Sequence, residues 1–245
     1  MKKAILAVAV VILASLTLQA KRIVLTGEQA SKDLKISGQY ETLSVGNDIE
    51  VRFSSQCKQP RITADQALMP YIKVKVEDNK LTIKYEGKRI NVVTPRKVRS
   101  ANATVVTLPW NPALKAASVS GAASVQMDDC LKGEAFSLTL SGASDFYGML
   151  EVSKLHIAAS GASEAHIEGH SRTFDTALSG ACCVAADKFV TSIAKVSLSG
   201  ASNVRISVNG TIKGNISGAS NLHCYGPADV QDVSCSGAGR VIRHK

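Results

Sequence analysis

The chain has 245 residues, a formal net charge of +9 at pH 7, 45% apolar residues and only 4% aromatic residues. The apolar fraction is high enough for a packed core, so the composition excludes a wholly disordered chain. Because aromatic side chains are scarce, any core is built mainly from Val, Ile, Leu and Ala. The length allows one large domain or two small ones.

The N-terminus has the three parts of a secretory signal peptide. Lys2 and Lys3 provide the positive start, and Ala4–Leu18 is an apolar run of 15 residues. A membrane-spanning helix needs roughly 20 residues, and Ala20 offers a small residue at the cleavage site. We therefore expect residues 1–20 to be removed. The remaining chain, with no membrane span, is expected to be exported to the periplasm or the cell surface; an uncleaved anchor is the alternative.

After the predicted signal peptide, the net positive charge is confined to the first part of the chain. Residues 21–112 contain 16 Lys and Arg against 9 Asp and Glu, whereas residues 113–245 contain 11 of each. The excess is densest in a basic cluster of Lys84, Lys88, Arg89, Arg96, Lys97 and Arg99. Such a cluster attracts anionic glycans or nucleic acids, or it is an ordinary solvated strand face and loop. Export argues against nucleic acid as the partner.

A repeated Ser-Gly-Ala motif dominates the second half of the chain. It begins at seven serines: Ser120, Ser141, Ser160, Ser179, Ser199, Ser217 and Ser236. The successive spacings are 18 to 21 residues, a period typical of a solenoid. Residues one and three positions before the serine are mostly apolar, with a small or polar residue between them, which predicts a strand with one buried face. A second strand follows, with positions five and seven inward and position four outward.

Each repeat is predicted to be a strand, a Ser-Gly-Ala corner, a second strand and a looser return. One unit cannot bury its apolar face alone, whereas stacked units pair their strands at roughly 4.8 Å and share a core. The glycine allows φ > 0, and the serine hydroxyls can bond to the backbone or to the next coil. Leu140, Leu178 and Leu198 should then form one internal column. The fold predicted for residues 113–245 is a parallel β-helix-like solenoid of about seven coils.

Six cysteines are present, and none has the spacing of a metal-binding motif. Cys224 and Cys235 occupy inward columns and are expected to pack as small apolar residues. Cys183 falls in an outward column and is expected to be an exposed thiol. An exported protein can form disulfides, but the sequence leaves the connectivity open.

The N-terminal part, residues 21–112, lacks the repeat but is predicted to be β-structure that caps the solenoid. The predicted elements are two strands within Tyr40–Phe53, a strand at Arg61–Thr63, a helical turn at Asp65–Met69, a hairpin of Tyr71–Val76 with Lys80–Tyr85, a basic loop at Asn91–Arg99 and a strand at Val105–Leu108. No linker rich in Gly, Ser or Pro separates the two parts. The N-terminal β region is therefore predicted to be continuous with the solenoid.

The combined pattern resembles the head GIN domain family of auto-transporter adhesins, found in exported bacterial proteins. The resemblance covers roughly Tyr40 to the C-terminus. It rests on the segments Tyr40–Val45, Ile62–Asp65, Leu68–Ile72, Asp78–Ile83 and Val106–Pro109 and on the Ser-Gly-Ala-Ser corners. Where the family has Gly-Ile-Asn, this chain has Gly46-Asn47-Asp48-Ile49. The resemblance implies a parallel β-helix-like body and an adhesion role, and it names no ligand or catalytic residue.

Asp145 and Glu164 are the candidates for acid–base chemistry. They occupy the outward column on adjacent coils, about 5 Å apart by strand spacing, which is close to the separation of paired carboxylates in a glycosidase. The following coils place Cys183, Asn203 and Asn221 in this column. That continuation indicates a solvated polar stripe with an asparagine ladder instead.

The histidines form no metal or catalytic group in the predicted coils. His166 and His223 share a column but lie three coils, or roughly 14 Å, apart. We therefore assign no catalytic, cofactor-binding or metal-binding residue and expect no cofactor. The leading hypothesis is a non-enzymatic, adhesin-like module that presents a rigid surface to a glycan or a surface protein. The alternatives are a polysaccharide lyase or hydrolase on a β-helix scaffold and a structural protein that assembles through its coil ends.

Overall fold

The structure, a computed structural model, describes residues 21–86, 90–94 and 103–244. Within these ranges the chain forms 18 β-strands and one short 3-10 helix, Met69–Tyr71. The all-β prediction is confirmed. The predicted signal peptide, residues 1–20, lies outside the described residues. In the part of the chain that is described, no helix has the length and apolar character needed to cross a membrane.

Half of the described strands belong to the N-terminal part of the chain. They are β1 Lys21–Val24, β2 Gln29–Asp33, β3 Thr42–Val45, β4 Ile49–Ser54, β5 Arg61–Asp65, β6 Ile72–Glu77, β7 Lys80–Tyr85, β8 Ile90–Val93 and β9 Thr104–Pro109. The others carry the repeats. They are β10 Ala116–Gly121, β11 Ser124–Gly142, β12 Asp145–Gly161, β13 Glu164–Gly180, β14 Cys183–Leu198, β15 Asn203–Ile216, β16 Asn221–Tyr225, β17 Asp229–Cys235 and β18 Arg240–His244. The long strands β11 to β15 each run from one Ser-Gly-Ala corner to the next.

The coils stack through parallel strand pairing. From β10 the ladder continues through β11, β12, β13, β14, β15 and β16 to β18. The corners lie in register, since the amide of Ala162 donates to the carbonyl oxygen of Gly142 at 2.7 Å and the amide of Ala181 donates to that of Gly161 at 2.7 Å. The predicted parallel solenoid of about seven coils is confirmed.

The corner residues are selected by close backbone contact. Gly161 has a φ of +83°, and a Cβ added there would lie 2.4 Å from the carbonyl oxygen of Gly142 in the preceding coil. At the first six corners the residue after the Gly-Ala pair turns inward. Among them, Ser144 and Ser163 are buried, and their hydroxyl oxygens are 3.3 Å apart. The hydroxyl of Ser163 also donates to the carbonyl oxygen of Ser160 at 3.0 Å. Glycine therefore makes the bend, and serine links the coils, as predicted.

The interior is filled by alternate side chains of every coil. Leu140, Leu178 and Leu198 are each at most 2% exposed, and strand register places them with Ala159 in one internal column. Aromatic pairs contribute bulk at ring-centroid distances of 6.0 and 6.1 Å: Phe136 with Phe146, and Phe174 with Phe189. The period-2 pattern of the repeats therefore predicted the core column correctly.

The parallel ladder continues into the first half of the chain. β3 pairs with β10 and β7, and β4 pairs with β11 and β9, all parallel. Asn47, with a φ of 71°, takes the corner position that glycine takes in the repeats, since asparagine tolerates the left-handed region. A Cβ on Gly121 would lie 2.6 Å from the carbonyl oxygen of Asn47. Antiparallel pairing of β6 with β7 and of β2 with β5 then closes this end, which confirms the predicted cap.

The predicted hairpin in the cap is confirmed. β6 and β7 pair antiparallel from Ile72 opposite Tyr85 to Glu77 opposite Lys80. The turn residues Asp78 and Asn79 both have positive φ, which is the geometry that matches the twist of a two-residue hairpin.

The helical turn predicted at Asp65–Met69 is present as a hydrogen-bonded turn, in which the amide of Leu68 donates to the carbonyl oxygen of Asp65 at 2.8 Å, but the 3-10 helix that follows it, Met69–Tyr71, includes Pro70 instead of ending before it. Asp65 is the last residue of β5, and its buried carboxylate accepts hydrogen bonds from the backbone N–H groups of Thr26, Gly27 and Ala67. Burial alone would raise the pKa of Asp65, but these hydrogen bonds, with one from the Thr26 hydroxyl, lower it overall. The carboxylate thus fastens the segment before β2 and, through Ala67, begins the turn that leads to the 3-10 helix.

The basic loop predicted at Asn91–Arg99 is wrong in its first part. β8, Ile90–Val93, pairs parallel with β1, Lys21–Val24. This long-range pairing carries no periodic signal in the sequence. Of the basic cluster, Lys84 lies in β7 and is exposed. The other members lie outside the described residues: Lys88, Arg89, Arg96, Lys97 and Arg99.

Three cysteine predictions have different outcomes. Cys224 is buried, as predicted. Cys235 is exposed, so the prediction that it packs inside is wrong; its strand β17 belongs to the last coil and pairs only with β15 among the described strands. Cys183 is half-buried instead of fully exposed.

Candidate binding surfaces

Outward side chains of successive coils form columns on the surface of the solenoid. In a parallel stack in register, equivalent residues lie one strand spacing, roughly 4.8 Å, apart along the axis. Two surfaces built from such columns bring chemistry-bearing side chains together. The first, which we call the corner-following face, is formed by outward residues just after the Ser-Gly-Ala corners. The second, the lysine groove, is formed by residues before the corners.

The corner-following face contains the two predicted carboxylates. Asp145 and Glu164 are directly opposite each other on β12 and β13, as predicted. Glu164 Oε1 is 2.9 Å from Nε2 of His166. Burial raises the pKa of Asp145, and the negative charge of Glu164 raises it further, while His166 acts in the opposite direction. The pair has the chemistry of an acid and a base, but Glu164 is already engaged by a neighbour.

The remainder of this column behaves as the sequence indicated. Cys183 follows Glu164 in register, and Asn203 and Asn221 follow Cys183. The amide of Asn221 donates to Oδ1 of Asn203 at 3.0 Å, so the asparagine ladder is present. Burial raises the pKa of Cys183, with a further increase from Glu164.

Planar side chains form a second column on the corner-following face. The rings of Tyr147 and His166 stack with centroids 4.8 Å apart and planes inclined by 6°. In the last two coils His244 stacks on Tyr225 at 4.5 Å and accepts or donates a 2.9 Å hydrogen bond with His223. The sequence placed His166 and His223 in one column but did not predict these stacks. Two columns contained the signal for these stacks. Tyr147 and His166 both lie six residues after a corner serine, and Tyr225 and His244 both lie eight residues after one.

The lysine groove is a cavity of about 830 Å³ beside the strand segments that precede the corners. Its ionisable wall residues are three lysines, one histidine and two carboxylates: Lys115, Lys154, Lys195, His156, Glu134 and Asp175. Nδ1 of His156 is 3.5 Å from Oδ2 of Asp175, and Lys115 forms a 2.8 Å ion pair with Glu41 outside the groove.

Two cations of the lysine groove are not neutralised. Among the described residues, neither Lys154 nor Lys195 takes part in an ion pair. They belong to β12 and β14, and strand register places Lys195 two residues further along its strand than Lys154, so their attachment points are about 12 Å apart. Sequence reasoning missed this groove, because it aligned only the columns nearest the serine and gave residues 113–245 no net charge. The signal was the column four residues before each serine, which holds His156, Asp175 and Lys195.

The six cysteines are unpaired in the structure. In the ranges 21–86, 90–94 and 103–244 no group of three or more His, Cys, Asp or Glu side chains has the arrangement of a metal site. The two surfaces therefore present stacked rings, carboxylates beside histidines, and lysine amines.

The architecture is that of a β-solenoid protein with a capped N-terminal end. A family model described as "putative auto-transporter adhesin, head GIN domain" matches residues 39–228. The chain belongs to this family, as its repeat pattern indicated. No curated protein matches the sequence.

Solved structures of bacterial proteins share the fold. A putative adhesin from Bacteroides fragilis matches with a TM-score of 0.78 and 17% identity, covering 91% of this chain and 100% of that one. A putative adhesin from Parabacteroides merdae matches with a TM-score of 0.68 and 20% identity, covering 92% and 100%. A putative lipid binding protein from Parabacteroides distasonis gives 0.68 and 16%, covering 92% and 100%. At these identities the likeness extends to the fold alone.

Proposed function

We propose that the chain is an exported, non-enzymatic, adhesin-like module that binds an extended acidic glycan in the lysine groove. The observation that carries this proposal is a cavity of about 830 Å³ on a rigid solenoid, lined by the unneutralised side chains of Lys154 and Lys195. Membership of a family described as adhesins supports a binding role. The N-terminal sequence supports export to the periplasm or the cell surface.

The groove suits a polymer because its two unpaired cations are offset along the solenoid axis. Lys154 and Lys195 belong to strands whose spacing is fixed by backbone hydrogen bonds, so their backbone positions change little on binding. A fixed backbone saves the ordering cost of a flexible loop, and only the two lysine side chains have to be ordered. Buried Phe136 and Leu155 lie among the residues that line the cavity and make its base rigid.

Polygalacturonate, with dextran as the neutral comparison, tests the proposal. The double variant Lys154→Ala/Lys195→Ala should bind polygalacturonate about tenfold more weakly, a loss of about 1.4 kcal/mol, and wild-type binding should weaken with added salt. Lys188→Ala is the matched control, because Lys188 forms an ion pair with Glu168 at 2.9 Å and does not line the groove. Equal binding of the double variant and the wild type would refute the assignment.

A polysaccharide lyase or hydrolase is the second candidate, supported by the Asp145–Glu164 pair and by the raised pKa of Asp145. If it is correct, wild-type protein shortens polygalacturonate and generates new chain ends, and Asp145→Asn and Glu164→Gln do not. The binding proposal expects the polymer to remain intact with all three proteins. Measuring the polymer length after incubation with each protein therefore distinguishes the two functions.

A further inference from the structure

The column of planar side chains on the corner-following face has one position without a planar group. Strand register places Tyr147, His166, Ala185, Arg205 and His223 one above the other on β12 to β16. Four of the five carry a phenol, an imidazole or a guanidinium. Ala185 is half-buried and carries only a methyl group, so its coil contributes no long side chain to the column between His166 and Arg205.

The side chains on either side of Ala185 are positioned by their neighbours. His166 is stacked on Tyr147 on its far side and bonded to Glu164, which fixes the ring. Arg205 is exposed and has no ion-pair partner among the described residues. Its positive charge lowers the pKa of His223, after burial and His244, and opposes the rise in the pKa of Cys183.

The strand spacing leaves room for one additional ring. The strands that carry His166 and Arg205 are two strand spacings, about 10 Å, apart, so a ring placed over Ala185 would lie about 5 Å from the level of each. This equals the 4.8 Å centroid distance of the Tyr147–His166 stack already present. A guanidinium over an aromatic face is attracted by the ring quadrupole, and an imidazole stacks on the opposite face.

We propose that Ala185 is the floor of a binding notch that receives an aromatic side chain of a protein partner between His166 and Arg205. The bound ring completes the column of planar groups. The notch lies on a different face from the lysine groove, so this proposal does not depend on acidic-glycan binding. Its ligand is a Trp, Tyr or Phe side chain, since both walls present groups that stack on a π face.

The test is an NMR titration of the whole protein with N-acetyltryptophanamide. The His166 ring protons should move upfield and saturate, because a stacked indole shields them, whereas leucinamide and methyl glucoside should leave them unchanged. In Ala185→Tyr the new ring fills the notch, so these protons should be shifted before any probe is added and should no longer respond. Ala177→Tyr makes the same substitution at an exposed position before the corner and should respond like the wild type.

The variant Arg205→Ala removes one wall without adding bulk. This variant should bind N-acetyltryptophanamide at least several-fold more weakly, as judged by the His166 ring-proton shifts. Its midpoint of urea denaturation should stay near that of the wild type. The proposal can therefore be tested even if Ala185→Tyr does not fold. Three results would overturn the proposal. The wild type could show no response, Arg205→Ala could respond as strongly as the wild type, or the wild type could respond to methyl glucoside or leucinamide in place of N-acetyltryptophanamide. Binding of polygalacturonate has no bearing on any of these outcomes.

Discussion

Thr176 interrupts an otherwise apolar internal column. It is fully buried between Ile157 and Val196 in strand register, and its hydroxyl has no hydrogen-bond partner in the described part of the chain. A buried hydroxyl without a partner loses its bonds to water and gains none in exchange. The sequence showed a threonine in this column but could not show whether a carbonyl group is within its reach, because that depends on the exact path of the neighbouring coil.

The substitution Thr176→Val should stabilise the protein. Valine has the same shape and removes the unsatisfied hydroxyl, so the free energy of unfolding should rise by about 1 kcal/mol in urea denaturation. Thr191→Val is the control. Its hydroxyl is also buried, but it accepts a 3.0 Å hydrogen bond from Ser171 and donates to the carbonyl oxygen of Arg172. That variant should lose about 1 kcal/mol. Equal changes in the two variants would contradict this explanation.

Among the elements, the corners and the strands beside them were predictable because they repeat. Seven copies of one motif average out local exceptions, so glycine at the bend and leucine in the core column could be assigned from spacing. β8 could not be predicted, because its pairing with β1 depends on two short segments about 70 residues apart that share no repeat. Cys235 was misplaced for a related reason: the repeat pattern assumes a strand pair on both sides, and among the described strands β17 pairs only with β15.

The corner geometry gives a prediction about a single glycine. Gly161→Ala places a Cβ 2.4 Å from the carbonyl oxygen of Gly142 in a left-handed conformation. Neither the backbone of one coil nor that of the next can move without breaking in-register hydrogen bonds. The free energy of unfolding should therefore fall by at least about 2 kcal/mol, from left-handed strain and the clash together.

Gly133→Ala is the matched control for the corner variant. Gly133 is also in a repeat strand, but it is exposed, and an added Cβ meets nothing within 4 Å. Its unfolding free energy should change by no more than about 0.5 kcal/mol. The comparison uses urea denaturation of both variants. A similar loss in both would mean that the coils tolerate the contact and that glycine is not required at the bend.

For the whole molecule, the interior was predictable from the sequence and the binding surfaces were not. The interior coils follow from the repeat, whereas the binding surfaces depend on which outward residues meet across neighbouring coils. Lys154 and Lys195 come from different columns of different coils, so only the folded register reveals that they line one cavity. The two ends also differ, because antiparallel strands close the first coil while β18 pairs only with β16 among the described strands.

The C-terminal coil should therefore open first. In a stacked repeat protein each unit is stabilised by its neighbours, and a terminal unit has only one. β17 and β18 contain mostly exposed or half-buried residues. The hydrogen bond between His223 and His244 and the stack of His244 on Tyr225 connect β18 to β16. Amide hydrogen exchange should show much lower protection in β18 than in β12 and β13.

Acid should increase this opening through His223. Burial lowers the pKa of His223, and the positive charges of His244 and Arg205 lower it further. A histidine whose folded pKa lies below its unfolded value of about 6.5 contributes stability above that pH, and this stability is lost as the pH falls toward the folded pKa. Protonation also makes Nδ1 of His223 a donor only, so the bond then requires Nε2 of His244 to accept. Between about pH 7.5 and about pH 5.5, the protection factors of β16 and β18 should fall while those of β12 and β13 change little. In His223→Gln, which stays neutral, the end coil should respond less to pH than in the wild type, and an unchanged response in that variant would assign the effect to another group.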